Sequence, residues 1–502
     1  MRVCTGAVLG ALMMVAAALV PVQAEPVALV HGTILDGNGG TPIDRGVLLI
    51  EGKRITAVGG PRTPIPEGAR RIDVSGKYLI PGMMDANAHL VYEASPEFMV
   101  KFEGQLEEIA REAAQVALKV GLTTLFDTWG PLQEIKTVRD QINRGEVPGS
   151  RVFIAGNIIG VNGPLSRDFY GLPIEGVSEQ TVARINARWE QGVGHEVLFM
   201  TPEELRTRMR AYMDKGVDFI KIAVSGHGAA TNGLLNFSPQ ALQVMIEEAR
   251  ARGMTVQTHT MTMEGLRIFA SGDFDLAQHC STTLREAVPA DGVLKLIPDS
   301  TVQLLARRKL GCTLNAYTDV EMRRRMRDPE RKINLDDPHF TETGPGSAER
   351  ADAILAHQNE IKLIKAGVPM LMVTDAGVPW IDSPLIQRTS PCWRNKYQCL
   401  HFLGEGHIAW LRAVHEKGMA PMEMLKAATR NVAAAYRKLN ELGTLERGKI
   451  ADVVVLDADP LADPENYARI HLVMKDGQVV DRDALPVNNV LTKLNAPRLL
   501  ER

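Results

Sequence analysis

An eightfold alternation of short apolar strands with amphipathic helical segments occupies the middle of the chain, and this pattern most constrains the fold. Apolar residues recur with helical spacing between the strands, for example at 103–120 and 239–252. The candidate strands are 83–89, 123–127, 151–159, 219–224, 255–259, 276–279, 312–315 and 370–374. Such a pattern predicts an α/β protein with a (β/α)8 TIM barrel rather than an open doubly wound sheet. No glycine-rich phosphate loop follows any of these strands, which disfavours a dinucleotide-binding domain.

The two ends of the chain have a different pattern, in which short β-like segments alternate with turn residues. Glycine and proline between such segments are typical of small antiparallel strands. The segments are 27–30, 46–51, 54–58 and 70–74 near the N-terminus and 452–456 and 471–475 near the C-terminus. We therefore predict a small β-sandwich formed from N- and C-terminal segments, residues 25–80 and 437–502, attached to a barrel at 81–436.

Residues 1–24 have the pattern of a secretory signal peptide. Arg2 supplies the positive charge, residues 8–20 are apolar, and Val22 and Ala24 are small residues suited to a cleavage site. An uncleaved membrane anchor is the alternative, but the apolar stretch is shorter than the ~20 residues that span a bilayer. We expect cleavage after Ala24 and a periplasmic or secreted protein.

Charge and cysteine content narrow the partners and the compartment. A formal net charge of −3 and a pI near 6.5 give no electrostatic reason to expect nucleic acid or an anionic membrane as partner. A small-molecule substrate is therefore the expected partner, and a homo-oligomer is possible. Cys392 and Cys399 could pair in an oxidising compartment, whereas Cys280 and Cys312 lie in apolar runs and are predicted to be buried thiols.

Residues that bind metals or transfer protons stand in or directly after five of the predicted strands: His89, Lys221, His259, His279 and Asp375. The carboxyl ends of barrel strands converge on one pocket, so these side chains are expected to meet. Imidazole and carboxylate groups suit zinc or a similar divalent ion. Taken singly, a histidine at a strand end is more often a hydrogen-bonded core residue, and Asp375 could cap a turn. Lys221 is harder to explain in this way, because a buried ammonium needs a partner, a shifted pKa or a modification.

Together with two longer motifs, these residues resemble the amidohydrolase superfamily, from about residue 28 to 480. The family's opening Pro-Gly-x-x-Asp-x-His-x-His motif corresponds to 81–89, and its closing signature corresponds to 427–431 and 443–452. The chain is most similar to the imidazolonepropionase-like and prolidase-like branch. The resemblance implies one or two divalent ions, Zn²⁺ foremost, and a carboxylated Lys221. The metal ligands that it implies are Asn87, His89, Lys221, His259, His279 and Asp375.

Asn87 departs from that motif, which has its first histidine at this position. An amide oxygen is a weaker zinc ligand than imidazole, so one of two metal sites would bind its ion less tightly. A similar Asn-x-His arrangement resembles that of phenylurea hydrolases and molinate hydrolase. Alternatively, Asn87 is a hydrogen-bonding residue beside a site that holds a single ion.

The activity implied by the resemblance is hydrolysis of an amide, urea or carbamate C–N bond in a small molecule. A metal would lower the pKa of a bound water toward ~7. Asp375 would take the water's proton as general base and return it as general acid. Tyr317 and His227 are candidate substrate-binding residues, Tyr317 as an oxyanion donor or as a packing aromatic at the rim.

Two other functions are left open by the sequence. An Xaa-Pro-like dipeptidase or N-acyl amino acid carboxypeptidase would need a basic residue for the substrate carboxylate. Arg388, Arg394 and the run 323–325 are candidates, although such a run is more often a solvated surface. A catalytically impaired binding protein would explain the missing histidine, but the retention of the other site residues argues against it.

Overall fold

The computed structural model of the chain describes residues 25–91, 96–170, 176–227, 234–281, 293–328, 330–337, 339, 347–380 and 402–492. The strands in chain order are β1 (Val27–Ile34), β2 (Ile43–Glu51), β3 (Arg54–Gly59), β4 (Arg70–Asp73), β5 (Tyr78–Pro81), β6 (Met83–Ala88), β7 (Leu122–Asp127), β8 (Arg151–Ile154), β9 (Ile158–Ile159), β10 (Phe219–Ala223), β11 (Thr255–His259), β12 (Leu276–Gln278), β13 (Gly311–Thr313), β14 (Met370–Leu371), β15 (Val453–Leu456), β16 (Ile470–Lys475) and β17 (Gln478–Val479). The helices are α1 (Pro96–Lys101), α2 (Leu106–Lys119), α3 (Leu132–Arg144), α4 (Arg167–Tyr170), α5 (Glu179–Glu190), α6 (Pro202–Met213), α7 (Pro239–Ala251), α8 (Met263–Ser271), α9 (Asp299–Arg308), α10 (Asp319–Arg325), α11 (Ser347–Lys365), α12 (Gly406–Glu416), α13 (Pro421–Ala427) and α14 (Arg430–Ala435).

Both ends of the chain contribute strands to one mixed sheet. Its strand order is β17–β16–β15–β5–β1–β2–β3, with β4 paired to β1. The C-terminal β15 runs antiparallel to β5, with Val453 opposite Pro81, and this pairing joins the two ends. Leu29, Leu48 and Val455 are among the residues of its apolar core. The second layer that a β-sandwich requires stays a prediction.

The middle of the chain forms two parallel sheets that continue into one another. The smaller sheet contains β6, β7 and β8, and the larger runs from β9 to β14 in chain order. The amide of Asp218 donates to the carbonyl of Ile154 at one junction (2.8 Å), and that of Ala86 donates to Met372 at the other (2.9 Å). With helices between successive strands, this is a TIM-barrel-like α/β fold.

The strand ladders of the described residues do not form the single closed ring of eight strands that the sequence predicts, for local reasons. The predicted strand 151–159 is interrupted at Gly156, whose φ of 73° is incompatible with an extended conformation. The predicted strand 370–374 leaves the ladder after Leu371, because the next amide, that of Met372, donates to the carbonyl of Ala427. Hydrogen bonds outside the regular ladders therefore hold these two positions.

The outer helices begin and end at residues that suit helix termini. At the start of α6, the side chain of Thr201 accepts from the amide of Glu204, and the Glu204 side chain accepts from the amide of Thr201. Pro202 follows at the first helical position, where its missing N–H has no consequence. At the end of α3, Gly145 adopts the left-handed conformation that favours glycine, with φ 74°.

The aromatic ring of Tyr436, which follows α14, packs among buried side chains of the central parallel sheets. It stacks on Phe126 of β7 and meets Phe219 of β10 edge-on, with ring centroids 5.0 Å apart in the second contact. Its hydroxyl donates to the carbonyl of Ala86 at 2.7 Å. The contact fixes the backbone immediately before Asn87.

The disulfide between Cys280 and Cys312 corrects the prediction that both are buried thiols. Their Cα atoms are 5.7 Å apart, because β12 and β13 are adjacent and Ala277 pairs with Cys312. Apolar flanking residues indicated burial, but they carried no information on which strands are neighbours. The bond ties the segment after β12 to β13.

Several predictions fall outside the described residues. These concern the signal peptide at 1–24, the pair Cys392 and Cys399, and the basic residues Arg388 and Arg394. Among the helices that the structure describes, none combines the length and apolar content needed to cross a bilayer.

Candidate active site

The structure places the sequence-predicted site residues in one region at the ends of neighbouring strands. Asn87 and His89 lie at the end of β6, Lys221 lies within β10, and His259 is the last residue of β11. His279 directly follows β12, and Asp375 follows β14, with φ of 63° and 53° respectively. A backbone hydrogen bond joins the segment after β14 to β6: the amide of Asp375 donates to the carbonyl of Asn87 at 2.8 Å.

The carboxylate of Asp375 is held by groups on three sides. Its Oδ1 accepts from Nδ2 of Asn87 at 2.7 Å and lies 3.1 Å from Nε2 of His89. Its Oδ2 accepts from Nδ2 of Asn315 at 3.0 Å. These contacts orient the carboxylate. Asn315 was not singled out from the sequence, although it ends the predicted strand 312–315; an asparagine there carries no signal of its own.

Lys221 is buried and bonded to two polar neighbours. Its Nζ donates to Oγ1 of Thr128 at 3.1 Å and approaches Oδ1 of Asn87 at 3.5 Å. Burial lowers the pKa of Lys221 to about 8, opposed by the charges of Asp375 and Asp127. Thr128 also donates to Oδ1 of Asn87, so its hydroxyl connects the two residues. Sequence reasoning missed Thr128, which directly follows β7.

Two buried carboxyl groups, those of Asp85 and Asp127, lie next to the site residues. Burial raises the pKa of Asp85 to about 7, although that group accepts from the amide of Asn87 and from Thr374. Burial also raises the pKa of Asp127 to about 6; its Oδ2 accepts from the amide of Leu90. Asp85 therefore positions the backbone on both sides of the junction between β6 and the segment after β14.

The histidines are buried in environments that favour the neutral ring. Burial holds the pKa of His259 well below its usual value, with smaller contributions from His227 and His279. Burial lowers the pKa of His279 to about 4 and that of His227 to about 4. The ring of His259 lies 4.9 Å from that of His227 and 4.8 Å from that of His279. Neutral imidazole is the form that binds metal ions.

Two observations test whether the site fits a divalent ion. Both ring nitrogens of His259 are buried without a hydrogen-bond partner in the described residues. Nδ1 of His89 lies 3.2 Å from the carbonyl of Trp129, which can only accept, so Nδ1 carries a hydrogen, and the other ring nitrogen, Nε2, faces Oδ1 of Asp375 at 3.1 Å. Two acceptors at that separation require a proton or a cation between them.

Among the described residues, no group of three or more His, Cys, Asp or Glu side chains has a geometry ready to hold a metal. The donor chemistry nevertheless fits, since neutral imidazoles, a carboxylate and a lysine of lowered pKa stand together. Asn87 directs its amide nitrogen to Asp375 and its oxygen to Thr128 and Lys221. This is the geometry of a hydrogen-bonding residue.

A cavity of about 290 Å³ opens beside the site. His279 and Asn315 line its inner wall, and Met261 and Met322 contribute apolar surface. Tyr317 lines it as well; burial raises the pKa of its hydroxyl to about 12. His227 is not among the described residues of this lining; its ring lies 4.9 Å from that of His259 and 4.7 Å from that of Phe169. Substrate contacts for Tyr317 and His227 stay predictions.

Comparison with known proteins identifies the family of the chain. The model of the Amidohydrolase family matches residues 78–480. A solved structure of molinate hydrolase has a TM-score of 0.82 and 34% identity, covering 94% of this chain and 97% of the other. A structure of phenylurea hydrolase B has a TM-score of 0.80 and 34% identity, covering 93% and 99%.

Curated relatives extend the comparison at lower identity. Ochratoxinase of Aspergillus niger is 24% identical over 458 residues, 87% of this chain and 82% of that protein. Imidazolonepropionase of Caulobacter vibrioides is 25% identical over 447 residues, 85% and 91% respectively. The likeness to phenylurea and molinate hydrolases inferred from the Asn-x-His motif is confirmed. The chain belongs to the amidohydrolase family and is an enzyme of the kind that hydrolyses C–N bonds.

Proposed function

We propose that this protein hydrolyses an amide, urea or carbamate bond in a small molecule, using a metal-activated water and Asp375 as general base and then general acid. The observation that carries the proposal is the carboxylate of Asp375, oriented by Asn87, His89 and Asn315. It stands among buried, neutral histidines, of which His259 has two unpartnered nitrogens in the described region. The names of the molinate and phenylurea hydrolases support small, non-peptide substrates.

The ion would be held by His259, His279 and Asp375. His89 would be the fourth ligand if its Nε2, which now faces Asp375, turned to the ion as well. When bound, a divalent ion supplies an acidified water and polarises the scissile carbonyl. One ion fits the geometry of Asn87 better than two, because both ends of its amide are already hydrogen-bonded.

The chain's own groups then manage the proton. Asp375 would accept it from the attacking water, while Asn87, which donates to Oδ1, and Asn315, which donates to Oδ2, keep the carboxylate in place. The same carboxyl group delivers the proton to the departing nitrogen, so that the amine leaves neutral. Asn315 lines the cavity and donates to Oδ2, so it would connect a substrate in the cavity with Asp375.

In this proposal Lys221 would be carboxylated and would bind the ion. A pKa lowered to about 8 makes the neutral amine accessible near neutral pH, and only the neutral amine can react with carbon dioxide to form a carbamate. The carbamate would give Lys221 oxygen ligands for a divalent ion. Thr128, which accepts from Nζ, would position it.

We also propose, from the pattern of residues 1–24, that the enzyme acts outside the cytoplasm, in the periplasm or secreted. We further propose that the central strands close into a (β/α)8 barrel and that the terminal segments form a two-layer β-sandwich. Their support is the joining of the central sheets at both junctions and the sharing of one sheet by both chain ends.

The proposal is tested by hydrolysis assays on the purified mature protein with aryl ureas, carbamates, anilides and N-acyl amino acids. The Asp375→Asn variant, matched in metal content and fold, serves as the blank. Turnover of at least one class by the wild-type protein, absent from the variant, supports the proposal. Equal rates for both proteins would contradict it.

A further inference from the structure

Arg325, the last residue of α10, lines the cavity beside the site. Its guanidinium lies over the ring of Tyr317, 4.3 Å from the centroid. Stacking of this kind restricts the long side chain without using its N–H groups. Arg325 is exposed to solvent, so the donors that the stacking leaves unused can reach a ligand at the cavity.

The two preceding arginines are used differently. Arg323 forms ion pairs with Asp319 (3.1 Å) and Asp328 (2.9 Å), and Arg324 lies 3.9 Å from Glu321. No ion pair joins Arg325 to any described carboxylate within 4.0 Å, and its ring contact is with Tyr317. Arg323 and Arg324 thus stabilise the segment. Arg325 is exposed to solvent, as the sequence analysis favoured for the run, and it also lines the cavity.

Other charged residues lie at or near the cavity, and their partners bear on how Arg325 can act there. Glu360 lies in the wall but is buried against the ammonium of Lys417, 3.4 Å away, and burial raises its pKa. Lys417 in turn donates to the carbonyl of Tyr317 at 2.6 Å, so its charge is directed at the protein. Asp352 lies in the same wall. Among the described residues of the lining, Arg325 is the one arginine or lysine.

We propose that Arg325 binds a carboxylate of the substrate, so that the enzyme's substrates include N-acyl amino acids. This inference rests on the proposed function, and it names the substrate class for the same site. The scissile carbonyl would lie by Asp375 and Asn315, and the carboxylate would extend through the cavity to the guanidinium over Tyr317. Met261 and Met322 provide the apolar surface for the amino acid side chain.

Binding and hydrolysis are measured separately on one matched pair of compounds, N-acetyl-L-phenylalanine and N-acetyl-2-phenylethylamine, which differ by the carboxylate. Calorimetry should show that the wild-type protein binds the acid about 10- to 100-fold more tightly, the range for a hydrogen-bonded charge pair. Arg325→Gln should remove this preference, and Arg325→Lys should retain part of it, because lysine keeps the charge but loses the planar fork. Arg327→Gln, two residues along and outside the cavity lining, is the control and should bind like the wild type.

Different outcomes would contradict the role of Arg325 and the proposed function. Equal affinity for both compounds in the wild type, no binding of either, or an unchanged preference in a folded Arg325→Gln variant would overturn the role of Arg325. Preference for the acid without hydrolysis of it, or of any compound in the wider screen, would keep the carboxylate site and contradict the proposed function. Melting temperatures within a few degrees of the wild type would show that each variant is folded.

Discussion

Replacing Asn87 with alanine removes the side chain that connects Asp375 with Thr128 and Lys221. The bond to the Asp375 carboxylate is worth about 1.5–3 kcal/mol, and the neutral bond from Thr128 about 0.5–1.5 kcal/mol. Lys221 keeps its bond to Thr128, and Asp375 keeps its contact with Asn315. Because Asn87 is fully buried, water does not replace the lost partner without opening the site. We expect the free energy of unfolding to fall by about 2–4 kcal/mol.

Urea-induced unfolding of the wild type and the variant measures this loss, and kcat on any active compound measures its effect on Asp375. The control is Asn186→Ala, because Asn186 is also buried, and within the described part of the chain its side chain bonds only to the backbone of Leu165. It should lose comparable stability and keep kcat. A loss below about 0.5 kcal/mol in Asn87→Ala, together with an unchanged kcat, would refute the reasoning, because Asn87 would then hold neither the fold nor the carboxylate.

The remaining predictions concern the same carboxylate and its neighbours. Asp375→Asn should fold and yet lose about 10²–10⁴ in kcat, since one group serves both proton transfers; retention of more than a tenth of the rate would show a wrong assignment. Asn315→Leu cannot donate to Asp375 and should lower kcat by about tenfold, the equivalent of one hydrogen bond; an unchanged kcat in a folded variant would show that the contact is idle. Asn87→His restores the common family motif, but its ring has no room at a fully buried position, so metal content at matched zinc should stay flat or fall. A rise toward two ions per chain would instead identify Asn87 as the residue that limits metal binding.

The positions of the principal site residues could be predicted because strand ends in this fold converge. The segment Thr255–His259 is predicted as one of the short strands between helical segments, with His259 at its end, and the structure has the same bounds. Strand neighbours could not be read from the same pattern. The disulfide between Cys280 and Cys312 depends on the pairing of β12 with β13, which only the assembled sheet provides.

Residues of ordinary type are what sequence reasoning missed. Thr128 and Asn315 follow strands, as many threonines and asparagines do, and only their distances to Lys221 and Asp375 distinguish them. Arg325 differs from Arg323 by forming no ion pair within 4.0 Å in the described part of the chain, which a run of three identical residues does not reveal. Asn87 was recognised as a departure from the motif, but its hydrogen-bond partners lie 41 to 288 positions away in the chain.

The central claim is that hydrolysis depends on a divalent ion held by the residues around Asp375. The most direct measurement is the metal content per chain and the turnover rate on the same sample, before dialysis against a chelator, after it, and after zinc is restored. The account predicts between one and two ions per chain at the start, loss of turnover with the metal, and recovery with zinc. A protein that turns over at its full rate with no bound metal would contradict the claim.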